Sequence, residues 1–278
     1  MDIPRVQYFL VNQLDQQIQD SGVNIDPLDI PVYPLKDSWP IRYHSAIALK
    51  LAKIYNQNPL EIATKILQCL LSQSEWVEIT IDVIPSGIII FELTDQAVVA
   101  WLKQMTQTPL PISLSSPLSS TTTFTENYNQ NLFAVQYSHA RCCSLLRLAD
   151  RDHIITIAEP HPQTTPPFWL FINPNPIPWL DINGKLQLNH ASEQQLIWQL
   201  LTALDACYTS SETQFWQNKA HQISDAFQAF YSQCQIWGEV KLKTPKKAQA
   251  RLGLISVTQA LLRYILQEKL AIIAPLEL

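Results

Sequence analysis

Apolar side chains at Val6, Leu10, Leu14 and Ile18 recur four residues apart, with glutamines and aspartates between them. That spacing predicts an amphipathic helix over residues 4–19. Proline-containing loops follow at Asp26-Pro27, Pro31, Pro34 and Pro40, and a second helix is predicted from about Tyr43 to Tyr55, with Ile47, Leu51 and Ile54 on one face. Asn58-Pro59 opens a third helix, Leu60 to Leu71, because asparagine caps the free amides of a first turn and proline fits the first helical position. Val77, Ile79, Ile81 and Val83 then alternate with polar residues, as in a half-buried strand. Pro85-Ser86-Gly87 turns the chain into a second strand, Ile88 to Leu93, and a short helix ends near Trp101. Residues 1–105 therefore read as an α+β domain, helices with a small antiparallel sheet.

The periodicity stops at Thr106. From there to Gln130, Pro109, Pro111 and Pro117 stand among serines and threonines, which marks a linker, ordered or not. A helix resumes over residues 131–150, with Val135, Cys142, Leu145 and Ala149 on one face and Tyr137, Arg141, Ser144 and Leu148 on another. A short strand is possible between Arg151 and Ala158. A proline-rich insertion over residues 159–180 carries Phe168, Trp169, Phe171 and Trp179. It either docks onto a partner or folds back over a bundle face. Three longer helices close the chain, about Ala191 to Cys207, Ser211 to Trp237 and Pro245 to Glu268, the last with Thr244-Pro245 as its start signal. Residues 131–278 thus read as an all-α helical bundle.

Composition narrows the chemistry. The 278 residues are 47% hydrophobic and 15% charged, with a formal net charge of −5, so no global positive field draws polyanions to the chain. The 5 glycines are scattered, whereas a phosphate-cradling loop needs them clustered so that backbone amides can approach the anion. The 5 cysteines, Cys69, Cys142, Cys143, Cys207 and Cys234, are odd in number and form no CxxC, so reduced thiols in a cytoplasmic protein are expected. The first residues lack the basic start and apolar core of a signal peptide, and the apolar stretch from Ile79 to Leu93 is broken by Asp82, Pro85 and Gly87. No membrane association is expected.

Three segments resemble arginyl-tRNA synthetases. From Tyr43 the chain reads YHSAIALKLAKIYNQNPLEIATKIL, followed by VEIT and SGIIIFEL, similar to that family's N-terminal additional domain. Val135 to Leu146, VQYSHARCCSLL, resembles the opening helix of its DALR anticodon-binding domain. Ala250 to Leu278, ARLGLISVTQALLRYILQEKLAIIAPLEL, is similar to its closing helix and tail. The resemblance does not obviously cover residues 151–190. The family's Rossmann catalytic domain belongs between the two modules, where only the 106–130 linker lies. None of the histidines forms an HxGH signature, and Thr244-Pro245-Lys246-Lys247 is no KMSK loop. The expectation is a non-catalytic chain that takes no cofactor and binds no metal.

The resemblance implies that Tyr137, His139 and Arg141 line an anticodon-facing surface, where tyrosine stacks on an unpaired base and arginine contacts phosphate or a base edge. The competing reading packs Tyr137 against a helix and pairs Arg141 on the surface. Tyr231 lies where the family places aromatics near the anticodon loop, although aromatics at helical spacing are more often core. The tail ends in APLEL where the family has APERM, so Leu278 keeps an apolar end. Lys241, Lys243, Lys246, Lys247 and Arg251 form the one basic run, a solvated face by default or a polyanion contact. In the first module the family's tyrosine-linked asparagine is Ala46, and its GFIN loop is Gly87-Ile88-Ile89-Ile90, whose isoleucine cannot hydrogen-bond a base. His139 with Cys143 offers no nucleophilic site, lacking an orienting group and oxyanion donors. Two functions remain open: tRNA binding on the anticodon side, with arginine tRNA foremost, by an accessory or regulatory factor, or a protein-interaction module whose partner is a protein such as a synthetase.

Overall fold

The computed structural model describes residues 5–20, 26–36, 39–71, 78–110, 132–158, 169–208 and 212–278. They fall into two compact units, one of Arg5–Val98 and one drawn from Val99–Leu278.

In the first unit the helices are α1 (Val6–Asp20), α2 (Ile47–Tyr55) and α3 (Pro59–Leu71), and the strands are β1 (Val32–Pro34), β2 (Arg42–Ser45), β3 (Ile79–Val83) and β4 (Ile89–Leu93). Asn58 starts α3 as its sequence predicts: its side chain accepts from the Leu60 amide at 2.9 Å and its carbonyl from Ile62 at 3.2 Å. The strands form one antiparallel sheet in the order β1-β2-β4-β3. Tyr43, Phe91 and Ile81 are register partners across its covered face, all buried. The next row, Tyr33, His44, Ile90 and Asp82, lies on the opposite face. Between β3 and β4, Gly87 has φ +84°, and a Cβ there would lie 2.7 Å from that of Pro59, so the turn requires glycine.

The helix expected from Tyr43 divides in two, since Arg42–Ser45 is strand and the helix begins at Ile47. Pairing with β4 seats Tyr43 opposite Phe91 and outweighs the helical spacing that Tyr43 shares with Ile47. The helix expected to end near Trp101 is α4 (Asp95–Gln107), so Thr106 and Gln107 are helical rather than linker. Residues 111–130 of the expected linker lie outside the described residues, as does Val77.

The second unit contains α5 (Phe133–Arg151), β5 (Thr156–Ala158), β6 (Leu170–Asn173), α6 (Ala191–Asp205), α7 (Thr213–Gln233), α8 (Glu239–Lys243) and α9 (Pro245–Tyr264), the last continued by a π turn, Ile265–Lys269. Helix α9 is buried on every side from Ala250 to Tyr264, as befits the central helix of a bundle, and α5, α6, α7 and α8 all pack on it. The proline-rich insertion supplies β6, which pairs antiparallel with β5 to make a two-stranded ribbon beside the helices. Trp169, Phe171, Ile177 and Trp179 are buried, so the described part of the insertion folds back on the bundle. Its first residues, 159–168, lie outside the described residues. No described helix is long and apolar enough to cross a membrane.

Candidate nucleic-acid interface

Helix α5 has three sides, set by which residues align every three or four positions. Val135, Cys142, Leu146 and Ala149 are buried, and α5 packs on α9. Ser138 and Arg141 face α7. The Ser138 hydroxyl lies 2.8 Å from that of Ser224 and accepts from Gln228 Nε2 at 2.9 Å. Arg141 donates to the Tyr231 hydroxyl at 2.5 Å, and its guanidinium carbon is 5.0 Å from the Tyr231 ring centroid. That ring stacks on the buried Phe227 with centroids 6.2 Å apart. The third side carries Phe133, Tyr137 and Ser144 outward, with Phe133 57% and Tyr137 43% exposed.

Two of the predicted residues therefore meet, Arg141 and Tyr231, and Tyr137 lies one helical turn before Arg141 with its side chain exposed. The pair is half-buried, and the Arg141 Nε–H is buried without a partner. The pair sets a guanidinium beside an aromatic ring, the two kinds of group that hold an unpaired base.

His139 is not part of that surface. It is wholly buried, and its Nδ1 lies 2.8 Å from the Pro275 carbonyl. The Gln259 amide nitrogen, which can only donate, stands 2.9 Å from Nε2. Nε2 therefore accepts, and Nδ1–H donates to Pro275. The neutral ring satisfies both bonds, and a second proton on Nε2 would break one. Burial, with a smaller push from Arg263, holds the His139 pKa down to about 4 against the pull of the Pro275 carbonyl. Because the folded-state pKa lies below the ordinary 6.5, this contribution is complete above pH 6.5 and is lost as the pH falls toward 4. The expected loss is about 3 kcal/mol, from roughly 1.4 kcal/mol per pH unit. Urea unfolding of the wild type and His139→Gln at pH 7.5 and 4.5 checks it: the wild-type advantage should shrink by most of that amount. An advantage independent of pH would remove His139 as the titrating group.

The basic run scatters. Arg251 is buried against Glu193, with Nε 2.6 Å from Oε1 and side chains 8% and 0% exposed, so it reaches no ligand. Lys241 binds the Asp152 carbonyl at 3.2 Å, Lys243 pairs with Glu239 at 3.1 Å, and Lys247 donates to Asn189 at 2.9 Å. Lys246 is exposed. Asp152 lies just past α5, about 16 Å along the helix from Arg141 at 1.5 Å per residue, so Lys241 and the aromatic edge are separate places. Leu278 is 65% exposed at the end of a segment that runs beside α5.

Phe133, Gln136, Ser138, Arg147 and Gln228 carry no signal of their own in the sequence. Gln136 and Arg147 could have been found from their alignment with Cys143 on one stripe of the VQYSHAR helix. Ser138 and Gln228 matter only through a contact between distant segments.

In comparisons with known proteins, residues 9–89 match the family model described as the arginyl tRNA synthetase N terminal domain, and residues 135–272 that of the DALR anticodon binding domain. An arginine–tRNA ligase of Synechococcus sp. (strain JA-3-3Ab) is 26% identical over 153 residues, 54% of this chain and 23% of the relative. One from Gloeobacter violaceus (strain ATCC 29082 / PCC 7421) is 28% identical over 159 residues, 54% of this chain and 24% of the relative. The chain thus matches about a quarter of the length of these curated relatives. No solved structure matches it.

Proposed function

The chain is arginyl-tRNA synthetase-like, with that family's N-terminal and DALR anticodon-binding domains, and from this premise we propose that it binds tRNA on the anticodon side as a non-catalytic accessory or regulatory factor. The observation that carries the reading is the edge of α5 and α7, where the Arg141–Tyr231 pair sits one helical turn from the exposed Tyr137. Residues 90–134, between the two matched regions, are too few for a Rossmann domain of several hundred residues. Without HxGH and KMSK groups the chain has nothing to grip ATP or stabilise an adenylate-forming transition state, so it holds tRNA without charging it. In this reading Lys246 and Lys247 add only a salt-sensitive phosphate contact.

Arginine tRNA is expected to bind more tightly than an unrelated tRNA, with an affinity that falls as salt rises. Tyr137→Ala and Arg141→Ala should each cost about 1–3 kcal/mol, roughly fivefold to 150-fold in Kd, the range for a lost base stack or base contact. Filter binding over a salt series measures this. Equal affinity for both tRNAs, untouched by either substitution, would sink the proposal.

The other reading, a protein-interaction module that has lost tRNA, draws on the local partners of Lys241, Lys243, Lys247 and Arg251 and on the net charge of −5. Deleting residues 159–180 cannot test it, because Trp169, Phe171 and Trp179 belong to the core.

A further inference from the structure

The C-terminal segment is held against α5 through its carbonyls. Gln136 Nε2 donates to the Ile273 carbonyl at 2.9 Å, His139 Nδ1–H to Pro275 at 2.8 Å, and Arg147 Nη1 to Leu276 at 3.4 Å. Both numbers rise together, so the segment runs in the direction of the helix. Ala274, within the segment, is buried. The contacts at Ile273 and Pro275 read main-chain oxygens, so they do not depend on the side chains at those positions.

Among the described residues, Arg147 alone supplies the hydrogen bonds that hold the far end. The same Nη1 lies 2.7 Å from the Glu277 carboxylate, which is 81% exposed. An exposed ion pair is screened by water and salt, and it orders two long side chains poorly by itself. Here the arginine has a third partner. Its guanidinium carbon stands 5.5 Å from the ring centroid of Trp169. Trp169 is itself fixed: it is 5% exposed and precedes β6, which pairs with β5, whose Ile157 amide donates to Asp150 on α5 at 3.1 Å. A rigid indole thus orders a flexible guanidinium before it meets the tail.

We propose that Arg147 is a positioning residue that couples the proline-rich insertion to the C-terminal segment, with Trp169 holding the guanidinium that clamps Leu276 and Glu277. The coupling rests on contacts within this unit and stands whether or not RNA binds. Through it, an event that shifts Trp169 loosens the end that carries Leu278, while Gln136 and His139 keep residues 273–275 docked.

The test is backbone amide relaxation of the full chain, read at Leu276, Glu277 and Leu278. In the wild type these amides should be ordered, and Arg147→Ala should drop their order parameters below about 0.6, the flexible range. Trp169→Leu, which keeps apolar volume but removes the ring face, should produce the same drop, while Trp169→Phe keeps the wild-type values. Adding Trp169→Leu to Arg147→Ala should change nothing further, because the two act through one contact. Tail order that survives Trp169→Leu but not Arg147→Ala overturns the coupling, as does a further drop in the double variant. Amides of α9 such as Thr258 and Gln259 report whether the bundle is intact. Should they move in Trp169→Leu, then Trp169→Phe and Arg147→Lys decide: the aromatic-face coupling requires order in both, and loss in both overturns it.

Discussion

An Arg251→Ala variant is expected to unfold with about 3–5 kcal/mol less stability than the wild type, the cost of leaving a buried carboxylate without its cation. Glu193 is fully buried and has no water to turn to. One of its oxygens accepts from Arg251 at 2.6 Å, and the other accepts from the His190 amide at 2.8 Å to close the capping box that starts α6. Arg251 also donates through Nη1 to the Gln235 carbonyl. The pair therefore joins the first turns of α9 to the start of α6 and to the chain leaving α7. Urea unfolding of Arg251→Ala, Glu193→Gln and the double variant measures it. The double should cost clearly less than the two singles together, because it leaves no buried charge, while the lost Gln235 contact remains. Singles within about 1 kcal/mol of the wild type would show that the pair is solvated. Once folded, the variant should bind RNA as the wild type does, in contrast to Arg141→Ala.

The distinction between those arginines could not be read from the sequence. Arg251 follows Lys246 and Lys247 on the same helix, and nothing in that spacing says which side chain turns inward. The inward one is known from Glu193, 58 residues earlier in the chain. His139 is similar: the VQYSHAR motif was legible, and Tyr137 reaches the surface, but the histidine two residues on faces Pro275 and Gln259. Local signals served well where one turn of chain decides the outcome. Asn58-Pro59 capped α3, Pro85-Ser86-Gly87 made the β3–β4 turn, and Thr244-Pro245 began α9. They failed where pairing decides. Val32–Pro34 is a three-residue strand ending in proline, Arg42–Ser45 shares an apolar face with the helix that follows, and Leu170–Asn173 lies among prolines. Each takes its form from a partner strand rather than from its own propensity.

The glycine at 253 was the strongest signal left unused, since an isolated glycine inside a helical pattern costs stability unless something packs against it. Here the indole of Trp179 does. A Cβ at residue 253 would lie 2.5 Å from Trp179 Cη2, 3.0 Å from Cζ2 and 3.2 Å from Ile177 Cδ1. Trp179 is 1% exposed, so it has no free side to retreat into. Removing the ring in Trp179→Ala is expected to cost about 3–5 kcal/mol, the range for a buried tryptophan. Gly253→Ala should cost about 1–3 kcal/mol by overpacking, against the roughly 1 kcal/mol that alanine ordinarily gains over glycine in a helix. The sign is what tests the contact. With Trp179→Ala already in place the clash with the ring is gone, leaving only the end of the flexible Ile177 side chain to give way, and adding Gly253→Ala should then stabilise by up to about 1 kcal/mol through helix propensity and partial filling of the space. Four unfolding curves, wild type, two singles and the double, suffice to read the reversal. If Gly253→Ala stabilised the chain in both backgrounds, the insertion would not rest on α9 at this glycine.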